Sequence, residues 1–216
     1  KDTLRVARSL ERLSGEQRQA LVTDLLEAQQ FSAAFEIWTD GLDAKRKDVV
    51  GGRESIVDGG FEAELRAGEL PSFGWRIERG LKGVKTFWGQ REPRSGNRYL
   101  VLDWSGDPAT WAPAASQLIL VAPGTGYRLS FWARAEELVT AGSPIVTIND
   151  AAKNELPLVQ SPPLTQTNGQ WRQYSVQFET GANTQAVQLA VRREFCAVTP
   201  CPIFGQLWLD DFALSN

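Results

Sequence analysis

The chemistry that this sequence could perform centres on tryptophan, which occurs eight times in 216 residues. An indole ring can stack on the apolar C–H face of a sugar ring, while planar polar side chains hydrogen-bond to the sugar hydroxyls. We therefore predict a carbohydrate-stacking surface. Its aromatic members would be Trp88, Trp104, Trp111 and Trp132, and its polar members Gln90, Arg128 and Arg134.

Each of these tryptophans has an alternative place in the core, because large aromatic side chains are highly buried on average. Trp132 alternates with Phe131 in a strand-like run and so points away from it. Trp88 is expected in a loop, and Trp104 and Trp111 on either side of a turn. The remaining candidates, Trp75, Trp171 and Trp208, are interpreted as core or edge packing.

Catalytic signatures are missing from the sequence. The chain has no His, which removes the commonest general base and the Ser–His and Cys–His nucleophile pairs. Glycoside hydrolysis needs two carboxyl groups that face each other. The adjacent pairs 136–137 and 210–211 would instead point to opposite faces of a strand. No phosphate-binding loop, nucleophile elbow or dinucleotide fingerprint is present. The sequence therefore predicts a protein that binds and does not catalyse.

The charge balance limits the partners. The formal net charge is −3 and the pI about 5.2, whereas nucleic acid and anionic lipid surfaces attract basic proteins. No apolar run reaches the length of a membrane span, and no signal peptide is visible. The chain opens at Lys1 within a helical pattern, so we expect the natural protein to extend further.

Cys196 and Cys201 lie close together in a segment that also holds Pro200 and Pro202. Prolines bend the chain, and two thiols at this spacing can close a small loop. A disulfide would indicate an oxidising compartment. The alternative is a pair of buried free thiols. Two Cys without His cannot form a zinc site.

Residues 1–48 are predicted to be helical. Small and apolar residues recur at helical spacing, and Ser14 with Gln17 fits a capping box. A short helix with Ser32 as its cap would place Phe35 and Trp38 on its inner side. The segment is similar to the tail of a tetratricopeptide array, or it is a helical hairpin that caps the next domain. We expect residues 43–56 to form a charged connection.

Residues 49–216 carry a different period. Short runs alternate apolar and polar residues and are separated by turn clusters, as in the segments 127–134, 174–178 and 187–191. Many short strands with one apolar face predict an antiparallel β-sandwich or jelly roll. The whole chain is thus predicted to be mainly β, with a short N-terminal helical segment.

Six segments in order resemble one family. They are IVDGGFE at 56–62, GWRI at 74–77, RSGNRYLVLDW at 94–104, VAPGTGYRLSFWARAE at 121–136, GQWRQYSVQF at 169–178 and GQLWLDDFAL at 205–214. This order is similar to carbohydrate-binding modules of families four, nine and twenty-two, which are galactose-binding-like jelly rolls. The resemblance implies non-catalytic binding of a polysaccharide or other glycan, in the periplasm or outside the cell.

The resemblance also implies a structural calcium ion where the first and last strands meet. The matching side chains are Glu62 and Asp210 or Asp211. Alternatively these carboxylates cap turns or pair with nearby arginines. A second functional hypothesis is a scaffold, in which the helices bind an envelope protein of an exopolysaccharide assembly.

Overall fold

A computed structural model describes residues 13–63, 72–107, 112–153, 156–196 and 200–216. The described N-terminal residues form three helices: α1 (Gly15–Glu27), α2 (Phe31–Asp40) and α3 (Ala44–Val50). The predicted capping box at Ser14 is confirmed, since Ser14 Oγ accepts from the Gln17 N–H at 3.2 Å and Gln17 Oε1 accepts from the Ser14 N–H at 3.0 Å.

Two details of the helical prediction are wrong. Ser32 does not cap α2, because the helix already begins at Phe31 and has no side-chain cap. The expected connection at 43–56 contains α3, whose first turn is capped by Asp43 through the Arg46 N–H at 2.9 Å. The charged residues of this segment are typical of a linker, but Asp43 is a good N-cap and the segment is long enough for a short helix.

Ten strands follow: β1 (Arg76–Ile77), β2 (Val84–Gly89), β3 (Tyr99–Gly106), β4 (Ala115–Leu120), β5 (Gly126–Thr140), β6 (Pro144–Asp150), β7 (Val159–Gln160), β8 (Arg172–Glu179), β9 (Ala186–Arg193) and β10 (Ile203–Ser215). They form two antiparallel sheets. We call the order β1-β4-β9-β6-β7 the first sheet and β2-β3-β10-β5-β8 the second sheet. The predicted β-sandwich is therefore confirmed.

The main core lies between the sheets. Leu129, Phe131, Leu189, Leu207 and Leu209 are all fully buried in it. Strict alternation explains this, because successive side chains of a strand point to opposite faces. Each strand thus has an inner apolar set and an outer set that is available for other contacts.

The helices cover one end of the outer face of the first sheet. Phe35 and Trp38 of α2 pack around Phe73, and the same cluster includes Leu120 of β4 and Ala186 of β9. The predicted inner side of α2 is thus confirmed, and its partner is the chain's own sandwich. The buried apolar side chains of the helices pack against the sandwich. The structure therefore gives no support for an envelope partner.

The described helices also give no support for a tetratricopeptide tail. They contain 13, 10 and 7 residues, whereas such a repeat has 34 residues in two helices. The predicted boundary between 48 and 49 remains a prediction, and the expected helix before Leu13 lies outside the described residues. No helix of the described part is long and apolar enough to cross a membrane.

Cys196 and Cys201 form the predicted disulfide, with their Cα atoms 6.1 Å apart. Arg193 reinforces the junction by donating to the Cys201 carbonyl at 2.9 Å and to Cys201 Sγ at 3.0 Å. The pair ties the segment after β9 to the residues just before β10.

Loss of this disulfide should lower stability moderately. Closing a loop of this size removes chain entropy from the unfolded state worth about 2 kcal/mol. The free energy of unfolding of the Cys196→Ser, Cys201→Ser double variant, measured by urea denaturation, should fall by about that amount. The control is the wild type in the same buffer without reductant. Equal stabilities would mean that the disulfide adds nothing.

Candidate functional site

The outer face of the second sheet carries Trp132, the first predicted stacking residue. Trp132 lies on β5 and is half-buried. The Arg94 guanidinium carbon stands 4.0 Å from the centre of its ring, which is a cation–π contact. One face of this indole is therefore already covered by a side chain of the same protein.

Arg134 is also committed to partners within the chain. It is 9% exposed and lies 3.8 Å over the ring of Trp208. Its terminal nitrogens form ion pairs with Glu136 at 2.6 Å and with Glu92 at 3.2 Å. These contacts use the terminal nitrogens of Arg134, whereas its Nε atom has no partner among the described residues. Arg134 thus helps to hold this face together.

The other predicted stacking residues lie apart from Trp132. Trp104 is 5% exposed and belongs to the core, because its register on β3 turns it inward with Leu102. Trp88 is on strand β2 and not in a loop; it is half-buried and stacks on Phe61. These two rings are corrected to packing residues. Trp111 lies outside the described residues. Gln90 and Arg128 are exposed, and their role remains a prediction.

The outer face of the first sheet has a different character. Strand register aligns Arg76, Ser116, Ala190, Thr147 and Gln160 in one row across all five strands. The neighbouring row contains Leu118, Gln188 and Asn149. Arg76, Ser116, Thr147 and Gln160 line the open spaces on this face, whereas Ala190 is fully buried. The row thus runs along the floor of a polar groove.

The part of this groove over β6, β7 and β9 has a volume of about 470 Å³. Its lining includes Thr147, Asn149, Gln160, Arg192 and the exposed Phe195. A second space of about 770 Å³ lies beside it on the same face and is lined by Arg76, Leu118, Gln188 and Leu26 of α1. The N-terminal helix thus supplies part of one wall.

Unpartnered polar atoms mark the groove. Thr147 Oγ1, Asn149 Oδ1 and Arg192 Nε are buried and have no hydrogen-bond partner among the described residues. Thr147 is only 3% exposed. Buried polar atoms in native proteins are almost always paired with protein or with ordered water. Three of the six such atoms in the described residues lie on the adjoining strands β6 and β9, and the others belong to Trp38, Arg46 and Arg134.

Sequence reasoning missed these residues although a signal was present. The inner residues of β9 were read from their alternation, and the same alternation puts Gln188 and Arg192 on the opposite face. In β6, Thr147 and Asn149 alternate with apolar neighbours in the same way. Stacking chemistry favours aromatic rings, whereas these polar side chains lie on the outer face of strands that are otherwise apolar.

The three predicted calcium ligands come together where the first and last parts of the sandwich meet. A Cβ atom added to Gly60 would lie within 4 Å of the side chains of Glu62, Asp210 and Asp211. Gly59 is required here, because a Cβ atom would come within 2.0 Å of the Phe212 carbonyl oxygen. The segment 58–63 is thereby pressed against β10.

These carboxylates are held by hydrogen bonds. Glu62 accepts from the N–H groups of Asn97 and Arg98 at 2.8 and 2.9 Å. Asp210 accepts from the Arg94 N–H at 3.1 Å, and Asp211 from Ser95 Oγ at 2.6 Å. Within the described residues no group of three His, Cys, Asp or Glu side chains is placed to hold a metal ion. This arrangement does not fit calcium as it stands, and the calcium prediction remains a prediction.

The same acidic cluster predicts an unusual pH dependence. Burial, with the charge of Asp211 second, raises the pKa of Asp210 to about 7. Burial, with a smaller contribution from Glu62, raises the pKa of Asp58 to about 6. Both carboxyls hold a proton more tightly in the folded than in the unfolded state, so stability falls as the pH rises from 5 to 8.

The expected loss for Asp210 is on the order of 2 kcal/mol, measured as the free energy of unfolding in urea at pH 5 and pH 8. Asp211→Asn should reduce the loss, because it removes the neighbouring negative charge, whereas the exposed control Asp48→Asn should not. A stability that rises over this interval would contradict the prediction. Repeating the series with calcium and with chelator tests the calcium prediction, which requires calcium to stabilise the protein at pH 8.

Comparison with known proteins decides the family. The model of a carbohydrate binding domain family, CBM_4_9, matches residues 54–195. The chain belongs to this carbohydrate-binding family. The match covers most of the sandwich and begins after the three helices. No curated protein matches the sequence.

A solved CBM4 structure supports the fold of the carbohydrate-binding domain. A CBM4 module superposes with a TM-score of 0.55 at 16% identity, covering 74% of this chain and 98% of that one. The CBM22-1 xylan-binding domain of Paenibacillus barcinonensis Xyn10C gives 0.47 at 16% identity, covering 74% and 90%. TmCBM61, solved with β-1,4-galactotriose, gives 0.41 at 18% identity, covering 72% and 97%.

Proposed function

We propose that the protein binds a polysaccharide or other glycan reversibly and without catalysis, in the groove on the outer face of the first sheet. The observation that carries this proposal is the set of buried, unpartnered atoms of Thr147, Asn149 and Arg192. A glycan offers many hydroxyl groups that both donate and accept hydrogen bonds. Pairing with them would satisfy these atoms, and leaving them unpaired costs about 1–3 kcal/mol each.

The groove replaces the predicted tryptophan surface as the main site. The terminal nitrogens of Arg134 are engaged with Glu92 and Glu136, and one face of Trp132 is covered by Arg94. In the groove, by contrast, the side chains of Thr147, Asn149 and Arg192 line an open space, and the exposed ring of Phe195 stands at its edge. The stacking role of Trp111 remains a prediction. It requires that Trp111→Ala weakens binding of the same glycan.

We propose a location outside the cytoplasm, in the periplasm or beyond. The disulfide between Cys196 and Cys201 supports this proposal, because reducing cytosol disfavours structural disulfides. The test is the redox state of the two thiols in protein isolated from the native host under alkylating conditions. Alkylated, reduced thiols would overturn the proposal.

The binding proposal is tested by isothermal titration calorimetry against a panel of soluble polysaccharides. Saturable binding of at least one glycan class is expected. Thr147→Val should weaken it, because the substitution keeps the shape of the side chain and removes its hydroxyl. Trp132→Ala is the matched control on the opposite face and should bind normally. Loss of binding in Trp132→Ala together with normal binding in Thr147→Val would move the site to the second sheet.

A further inference from the structure

Arg192 is a charged residue of the groove over β6, β7 and β9. It lies on the outer face of β9, in register with Ile145 of β6, and is half-buried. Its Nε atom is buried without a partner. Among the described residues no carboxylate forms an ion pair with its guanidinium.

Two other arginines of the domain, Arg134 and Arg193, have partners within the chain. Arg134 has Glu92 and Glu136 at 3.2 and 2.6 Å. Arg193, next in the chain, turns inward and donates to the carbonyls of Gly142 and Cys201. Arg134 and Arg192 each have a buried Nε atom without a partner, but Arg134 has two carboxylates beside it, whereas Arg192 lines the groove and forms no ion pair within the described residues. A guanidinium partly removed from water without a counter-charge raises the energy of the folded state.

Burial lowers the pKa of the Arg192 guanidinium, which reports the same loss of water. Arginine nevertheless stays charged at any physiological pH. An anionic partner would therefore bind favourably for two reasons. It would form a bidentate ion pair with the guanidinium, and it would accept a hydrogen bond from an unsatisfied donor.

The surrounding groups leave this position open to an anion. The neutral side chains of Thr147, Asn149 and Gln160 share the groove. Glu194 also lines it, but its carboxylate accepts from the Ser143 N–H at 3.3 Å and makes no ion pair with Arg192. Arg76, farther along the floor, adds a second positive charge that is only loosely paired with Glu78 at 3.6 Å.

We propose that the glycan bound in this groove is acidic, and that a uronic acid carboxylate pairs with the guanidinium of Arg192. This inference rests on the proposed function and specifies its ligand class. Thr147 and Asn149 then bind hydroxyl groups of the same or the adjoining sugar, since both lie on β6 beside the β9 strand that carries Arg192.

The test compares acidic polymers with the same polymers after reduction of their carboxyl groups to alcohols. Glucuronoxylan, polygalacturonate and alginate are each titrated in both forms by calorimetry, at two salt concentrations. At least one acidic polymer should bind about 10-fold or more tightly than its reduced form. The preference should shrink at high salt, because an ion pair at a partly exposed site is screened.

Variants locate the effect. Arg192→Gln should abolish the preference for the acidic form, and Arg192→Lys should retain part of it, because lysine keeps the charge but loses the bidentate geometry. The exposed Arg172→Gln on the other sheet is the control and should keep the full preference. Circular dichroism and melting temperature establish that each variant is folded.

The outcomes separate the two proposals. Equal affinity for acidic and reduced polymers overturns the acidic-ligand inference and leaves glycan binding intact. A preference that survives in folded Arg192→Gln also overturns it. Failure of every polymer, acidic or neutral, to bind overturns the proposed function and the inference together.

Discussion

Asn149→Ala is expected to weaken glycan binding by about 5-fold or more. The Asn149 Oδ1 atom is buried and unpartnered, and the side chain lines the groove between Thr147 and the wall residue Gln188. Removing the amide leaves the sugar hydroxyl that it binds without a partner in a partly dry site, at about 1–3 kcal/mol. That range corresponds to a 5- to 150-fold change in affinity.

The effect should appear in the dissociation constant from calorimetry and leave the melting temperature nearly unchanged. The side chain has an unsatisfied oxygen in the unliganded protein, so its loss removes no hydrogen bond from that atom. Gln173→Ala is the matched control, since Gln173 is an exposed amide beside Trp132 on the opposite sheet. If Asn149→Ala binds with unchanged affinity and Gln173→Ala binds more weakly, the ligand lies on the second sheet and our proposal is wrong.

Trp38→Ala is expected to lower the free energy of unfolding of the whole chain by about 3–5 kcal/mol, the usual range for removing a large buried aromatic ring. Trp38 is 4% exposed and contacts Phe35 and Phe73 with ring centres 5.6 and 5.3 Å away. Phe73 lies between the helices and the strands, so the loss should be felt by both.

The measurement is differential scanning calorimetry. One transition, shifted to lower temperature, is expected because the helices share a core with the first sheet. Phe204→Ala is the control, since Phe204 is also aromatic but half-exposed at the sheet surface. Two separate transitions, of which only the smaller one shifts in Trp38→Ala, would show that the helical segment folds as an independent unit and would support the predicted boundary at residue 48.

Alternation in the sequence was sufficient to predict the sandwich. The positions of Leu129 and Phe131 predict the inner face of their strand, because burial selects apolar side chains at every second position. Alternation does not reveal what covers the outer face. Trp132 and Trp208 both point outward from their strands, and only the structure shows that Arg94 and Arg134 lie on them.

The site was harder to predict for a related reason. Stacking chemistry directs attention to tryptophan, but a ring that is large enough to bind sugar is also the best core filler, and Trp104 is used that way. Register across strands brings Thr147, Ala190 and Ser116 into one row although they are separated by up to 74 positions in the chain. No local pattern in a single strand contains that juxtaposition.

The helical cover has a practical consequence for where this domain can be cut. The recognisable family segment begins at residue 54, yet Leu120, Ala186 and Phe73 are buried in part by side chains that precede it. In a recombinant fragment starting at residue 54, this apolar area at the end of a sheet would be exposed to water. Such an area promotes self-association. Soluble expression of the sandwich should therefore depend on retaining residues from at least 13 onward.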